Sequence, residues 1–80
     1  MSRPRVLNLP RVARVGVKQE VPWEVNGERI DAVRESWLVE DRWWTEHPLR
    51  RRYWELVSAR GRNLVVFHDL CVGGWFTQGS

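Results

Sequence analysis

A single cysteine, Cys71, stands in the 80 residues, so no disulfide can close within the chain. A lone thiol fits a reducing compartment, and the cytoplasm is the expected location. No apolar run approaches the roughly 20 residues that cross a bilayer as a helix. The stretch from Met1 to Val15 is broken by arginines and prolines and lacks the apolar centre of a signal peptide. No membrane contact is expected.

Catalytic vocabulary is equally scarce. The two histidines, His47 and His68, fall short of a metal-ligand pattern even with Cys71 added. His68 and Asp69 are adjacent, and neighbours on a strand point to opposite faces, which makes them a poor dyad. Cys71 has no base defined by sequence and is expected to be structural. Glu40 and Asp41 point apart, and Glu35, Glu46 and Glu55 follow no recognised spacing. There is no phosphate-cradling glycine loop and no Gly-x-Ser-x-Gly. The expectation is a non-enzymatic protein that holds neither cofactor nor metal.

What the chain does have is tryptophan and arginine. Four of the six tryptophans (Trp37, Trp43, Trp44, Trp54), the only tyrosine (Tyr53) and the run Arg50-Arg51-Arg52 fall between Glu35 and Leu56. A chain this short buries only about 60% of its unfolded-state surface. One indole buries roughly 200 Å2, about 5 kcal/mol as an upper estimate. Most rings are therefore expected to be structural, with one or two left for the surface. A net charge of +3 permits an anionic partner without requiring one.

Residues 1–11, with two prolines and three arginines, show no period and suggest a flexible basic arm. The remainder, 12–80, suggests a single β domain. Val15 and Val17 share a face, and Val21, Trp23 and Val25 resume the same parity, as in a strand that Pro22 confines to an edge or breaks. Asn26-Gly27 is a hairpin turn signal, because both central residues of a type I′ turn need positive φ. A strand from Glu28 to Trp43 would span about 50 Å and should bend or bulge near Arg34–Ser36. Trp37, Val39 and Trp43 are expected on its inner face, and Leu38, Glu40, Arg42 and Trp44 on the wetter one.

Leu49 to Arg60 fits either period. Leu49, Tyr53, Leu56, Val57 and Arg60 are spaced as on a helix, but Arg52 to Val57 is rich in strand formers and leads through Gly61 into the strand Leu64–His68. A hairpin accommodates both halves. Gly73-Gly74 marks a further turn before Trp75-Phe76-Thr77. The expected fold is all-β, a small antiparallel sheet of six or seven short strands curled into a barrel-like module. The expected core is Val15, Val17, Trp23, Val25, Trp37, Val39, Trp43, Tyr53, Val66 and Trp75.

The candidate contact residues are the basic and outward aromatic ones: Arg14, Lys18, Arg42, Trp44, Arg50, Arg51, Arg52, Trp54, Arg60 and Arg62. Arg50–Arg52 and Arg60–Arg62 would lie at opposite ends of a hairpin, so one basic stripe requires Arg11, Arg14 and Lys18 between them. Trp44 and Trp54, if outward, would offer stacking platforms for single-stranded nucleic acid. The alternative is a solvated charged face with indole edges covering a thin core. Asp41 and Asp69 are expected to accept hydrogen bonds from a turn backbone or to pair with an arginine such as Arg51.

Four motifs then stand in order: Trp37-x-Val39-x-x-x-Trp43-Trp44; Arg51-x-Tyr53-Trp54-x-Leu56; Phe67-x-Asp69; and Gly73-x-Trp75-Phe76. Their arrangement resembles a family of short bacterial domains, common in actinobacteria. Those domains are themselves similar to the C-terminal segment of the polymerase-like subunit of damage-induced mutagenesis cassettes. The resemblance covers about Trp23 to Gly79. It implies an accessory, non-catalytic role in translesion synthesis, by contact with a protein of the damage-tolerance machinery or with single-stranded DNA. Unlike that subunit, these 80 residues hold no polymerase domain ahead of the motifs. They also stop at Gly79-Ser80, where the family often continues with aromatic and acidic residues.

Overall fold

The computed structural model describes residues 10–41, 44–46 and 48–78. They form strands and turns with no helix: β1 (Arg11–Val12), β2 (Val15–Lys18), β3 (Val21–Val25), β4 (Glu28–Asp41), β5 (Leu49–Ser58), β6 (Asn63–Asp69) and β7 (Trp75–Thr77). All pairings are antiparallel, and the strand order is β1-β7-β6-β5-β4-β3-β2. The two edge strands are consecutive in sequence, joined by Ala13 and Arg14 alone. The sheet must therefore curl until its ends meet. The Ala13 N–H donates to the Trp75 carbonyl (2.9 Å), and the Asn26 N–H donates to the Arg14 carbonyl (2.7 Å). One kinked segment thus spans the gap between β7 and β3.

Local chemistry explains most of these elements. Asn26 (φ 50°) and Gly27 (φ 85°) both occupy the left-handed region, as the two-residue β3–β4 turn requires. Asn26 also accepts the Arg14 N–H on Oδ1 (2.8 Å), so the same turn helps fasten the curl. β4 remains continuous but slips register twice, between Ile30 and Ala32 and between Val33 and Glu35. The second slip falls in the expected segment and bends the strand without ending it. Residues 49–58 are extended, which settles the ambiguous period in favour of the strand.

The core lies inside the curl. Val25, Leu56 and Val66 are buried, with Val15, Ile30, Trp54, Leu64 and Trp75 packed on them. Side chains from six strands can converge in this way only on the concave side. Of the expected core, Val25 and Val66 are buried and Val15 and Trp75 pack against them, but Val17, Trp23 and Trp37 are exposed. Trp43 lies outside the described residues. Cross-strand partners in an antiparallel ladder share a face, and Val66 pairs with Trp54, not Tyr53. Trp54 is therefore the inward ring of β5. Tyr53, with Trp37 and Val39 in its neighbourhood on β4, belongs to the outer face.

Three further expectations need correction. Val17 and Val21 do not lie on one strand, because Gln19 (φ 52°) and Glu20 (φ 67°) form a tight β2–β3 turn. β3 is interior in the strand order, although Pro22 faces only β2, where the ladder carries a register shift. Arg11, assigned to the arm, already pairs with Thr77. The rest of the arm, 1–9, lies outside the described residues.

Candidate interaction face

The outer surface carries one continuous rung of rings. Trp37 pairs with Tyr53, Tyr53 with Phe67, Phe67 with Phe76, and Phe76 with Val12, crossing β4, β5, β6, β7 and β1 in turn. Centroid separations are 5.5, 5.0 and 5.2 Å, and the Trp37 and Tyr53 planes are only 2° apart. Aromatic pairs at such spacing contribute about 0.5–1.5 kcal/mol beyond burial. The rung ties four strands together on the side away from the core.

Its middle is closed and its ends are open. Phe67 is 1% exposed, whereas Trp37 is 38% and Val12 80% exposed. Arg51 explains part of the closure: its guanidinium carbon lies 4.4 Å from the Phe67 centroid, and Nη1 donates to the Tyr53 hydroxyl (3.3 Å). Asp69, opposite Arg51 on β6, accepts the Cys71 and Val72 N–H groups (2.9 and 3.0 Å), the turn-binding role expected of it. On the far side of the rung, Glu35 and Glu55 face each other across β4 and β5. The apolar strip thus has an Arg51–Asp69 border on one side and a pair of glutamates on the other.

The inner face changes character towards the β4–β5 loop. There Leu38, Arg52, His68 and Trp75 form the last common rung, with His68 stacked on Trp75 at 4.5 Å and 3°. Arg50 pairs with Glu40 (2.8 Å). The loop beyond presents Trp44, 65% exposed.

The other expected contact residues are dispersed. Arg51 lies on the outer face and Arg52 on the inner. Arg60 and Arg62 stand at the opposite end of β5, where their N–H groups donate to the buried Ser58 hydroxyl (both 3.2 Å) and Arg62 reaches Glu28 (3.5 Å). Lys18 sits 5.4 Å above the Trp23 ring, and Arg14 is on the β1–β2 link. Arg11, Arg14 and Lys18 do not flank β5, whose neighbours are β4 and β6, so they do not bridge the two arginine clusters. Arg42 is outside the described residues, as is His47.

Trp54 is a correction: it packs on the core with Nε1 buried and offers no outer platform. The rings that do face outward, Trp37, Tyr53, Phe67 and Phe76, were expected in the core or left unassigned. A β5–β6 turn centred near Arg60 already sets Tyr53 opposite Phe67, so hairpin register was the signal for them.

Among the described residues, no cluster of His, Cys, Asp and Glu could hold a metal, and no helix is long and apolar enough to cross a membrane. Cys71 is exposed, with its thiol directed at the Pro48 carbonyl (3.6 Å). Comparison with protein-family models, with curated proteins and with solved structures finds no match.

Proposed function

We propose that this chain is a non-catalytic binding module that docks a protein through the outer aromatic rung. The observation that carries this reading is the Trp37–Tyr53–Phe67–Phe76 alignment, closed at its centre and open at both ends. A rigid aromatic strip with mixed charge along its borders supplies contact area at little cost in side-chain entropy, the usual make-up of an interface centre. The motif resemblance suggests the partner, a protein of bacterial damage tolerance such as the polymerase-like subunit of a mutagenesis cassette. Trp37, Arg51, Tyr53, Phe67, Asp69 and Phe76 of those motifs share one region of the outer face, which favours a common purpose.

Calorimetric titration against that purified subunit tests the proposal. Binding should be weakened at least about tenfold by Trp37→Ala and by Val12→Glu, while circular dichroism keeps the wild-type form. Absence of binding, or binding indifferent to both changes, defeats it.

Direct binding of single-stranded DNA is the second reading, favoured by Arg52 beside the stacked His68–Trp75 pair and by exposed Trp44. It requires affinity that falls with salt at roughly 0.7 logarithmic units per phosphate contact. The scattering of the cations weighs against it.

A further inference from the structure

From Glu35 to Val39 on β4 and from Arg51 to Glu55 on β5 the register runs without a shift, so three outer rungs lie side by side. Glu35, Glu55 and Val65 form the first, the rings of Trp37, Tyr53 and Phe67 the second, and Val39, Arg51 and Asp69 the third. The third rung is engaged within the chain. Arg51 lies on the Phe67 ring and donates to Tyr53, and Asp69 accepts from its own turn. The first rung is different. Its two carboxylates stand directly opposite each other, which destabilises a ladder, and neither is in an ion pair with a described residue. Arg50 and Arg52 project from the other face of β5, where Arg50 is held by Glu40. A chain of net charge +3 thus leaves two glutamates without a counter-charge beside Trp37, a stacked ring that is 38% exposed.

We propose that this corner of the outer face binds a basic segment of a partner protein, with an arginine over Glu35 and Glu55 and an apolar side chain on Trp37 and Tyr53. The inference rests on the docking reading and names the chemistry of the partner at that face. Charge complementarity selects the occupant. A guanidinium pairs with carboxylates and lays its plane on an indole at the same time, which an ammonium does less well. Phosphates are repelled by the same pair, which disfavours a nucleic-acid strand there. Among the described residues no third His, Cys, Asp or Glu joins the two glutamates to make a metal site. Adjacent rungs on one face lie about 6.6 Å apart, the repeat of alternate residues in an extended chain. An extended segment laid along β4 and β5 therefore meets the two rungs with residues i and i+2, one basic and one apolar.

Two acetylated and amidated five-residue peptides test this by NMR titration of the full chain. One has leucine, arginine and leucine at its odd positions with threonine between, and the other replaces the arginine by glutamate. The arginine peptide should shift the Trp37 indole N–H with a dissociation constant of about 0.1–1 mM, modest because so small a ligand offsets little of the cost of association. The glutamate peptide should bind at least about fivefold more weakly, although the chain's net charge of +3 favours it in general. Glu35→Gln together with Glu55→Gln should bring the two peptides within about twofold of each other. Trp37→Ala should weaken the arginine peptide at least about fivefold. Glu20→Gln with Asp31→Asn removes the same charge elsewhere and should leave the preference intact. The paired glutamine exchange relieves a like-charge contact, so the test stands even if Trp37→Ala does not fold. No shift at about 10 mM peptide, equal affinity for the two peptides, or a preference that survives the glutamine exchange overturns the proposal. The two readings fail separately. A cassette subunit that does not bind removes that partner and leaves the arginine preference to be read, whereas Trp37-dependent binding of the subunit without that preference defeats this inference alone.

Discussion

The two halves of β4 do opposite work. From Glu28 to Val33 the strand belongs to the closed curl, where Ile30 packs on Val25, Leu56 and Val66. From Glu35 to Asp41 its ladder runs to β5, and every residue there except Val39 is exposed. The molecule measures 40 × 39 × 19 Å with a radius of gyration of 13.5 Å, above the roughly 12 Å expected of a compact chain of this length. The curled end holds the apolar core. The projecting hairpin depends on its backbone ladder and on rings stacked along one rung, and most of its described β4 residues are exposed.

Matched truncations on the two halves give the largest expected effect. Leu56 is fully buried, and Leu56→Ala should cost about 2–5 kcal/mol, a large share of the stability of a small domain. Leu38, 39% exposed on the projecting hairpin, should cost less than about 1 kcal/mol when cut to alanine. Urea denaturation of both variants measures the difference. Equal losses would show that the hairpin is as tightly packed as the curl, and the comparison would collapse.

Sequence reasoning reached the elements more readily than their sidedness. Asn26-Gly27 carries its conformation in its residue types, and a strand as long as β4 has to bend in so small a domain. Period, by contrast, states which residues share a face and not which face is inward. On β5 both parities are aromatic, Tyr53 on one and Trp54 on the other, so only the pairing of Trp54 with Val66 decides between them. The Gln19-Glu20 turn left no trace for a related reason. A two-residue turn keeps the parity from Val17 to Val21, and neither residue favours positive φ. Legibility of the outer aromatic face suffered most, since its rings come from four strands and meet only through register.

That same turn sharpens the contrast at the curled end. Left-handed backbone costs an ordinary residue about 1–2 kcal/mol, and here two neighbours adopt it. Replacing them by the residues the turn prefers, Gln19→Asn with Glu20→Gly, should raise stability by about 1 kcal/mol after the added freedom of glycine in the unfolded chain is subtracted. Thermal unfolding would then rise by several degrees. An unchanged or lowered midpoint would mean that the native side chains compensate the strain.

The smallest effects separate two ion pairs. Arg62 meets Glu28 at 3.5 Å in the curled end, where the Glu28 side chain is 17% exposed and one of its carboxylate oxygens is buried without a hydrogen-bond partner. Arg50 meets Glu40 at 2.8 Å on the projecting hairpin, with both side chains at least half exposed. Distance alone ranks the second pair higher, but burial reverses the order. Arg62→Gln strips the counter-charge from a largely desolvated carboxylate and should cost about 1 kcal/mol, little changed by salt. Glu40→Gln gives up a solvated pair worth about 0.3–0.5 kcal/mol, which 1 M salt should erase because screening then acts within about 3 Å. Chemical denaturation with urea at low and high salt reads both. A larger, salt-resistant loss at Glu40 would mean that the hairpin excludes water better than its exposed side chains suggest.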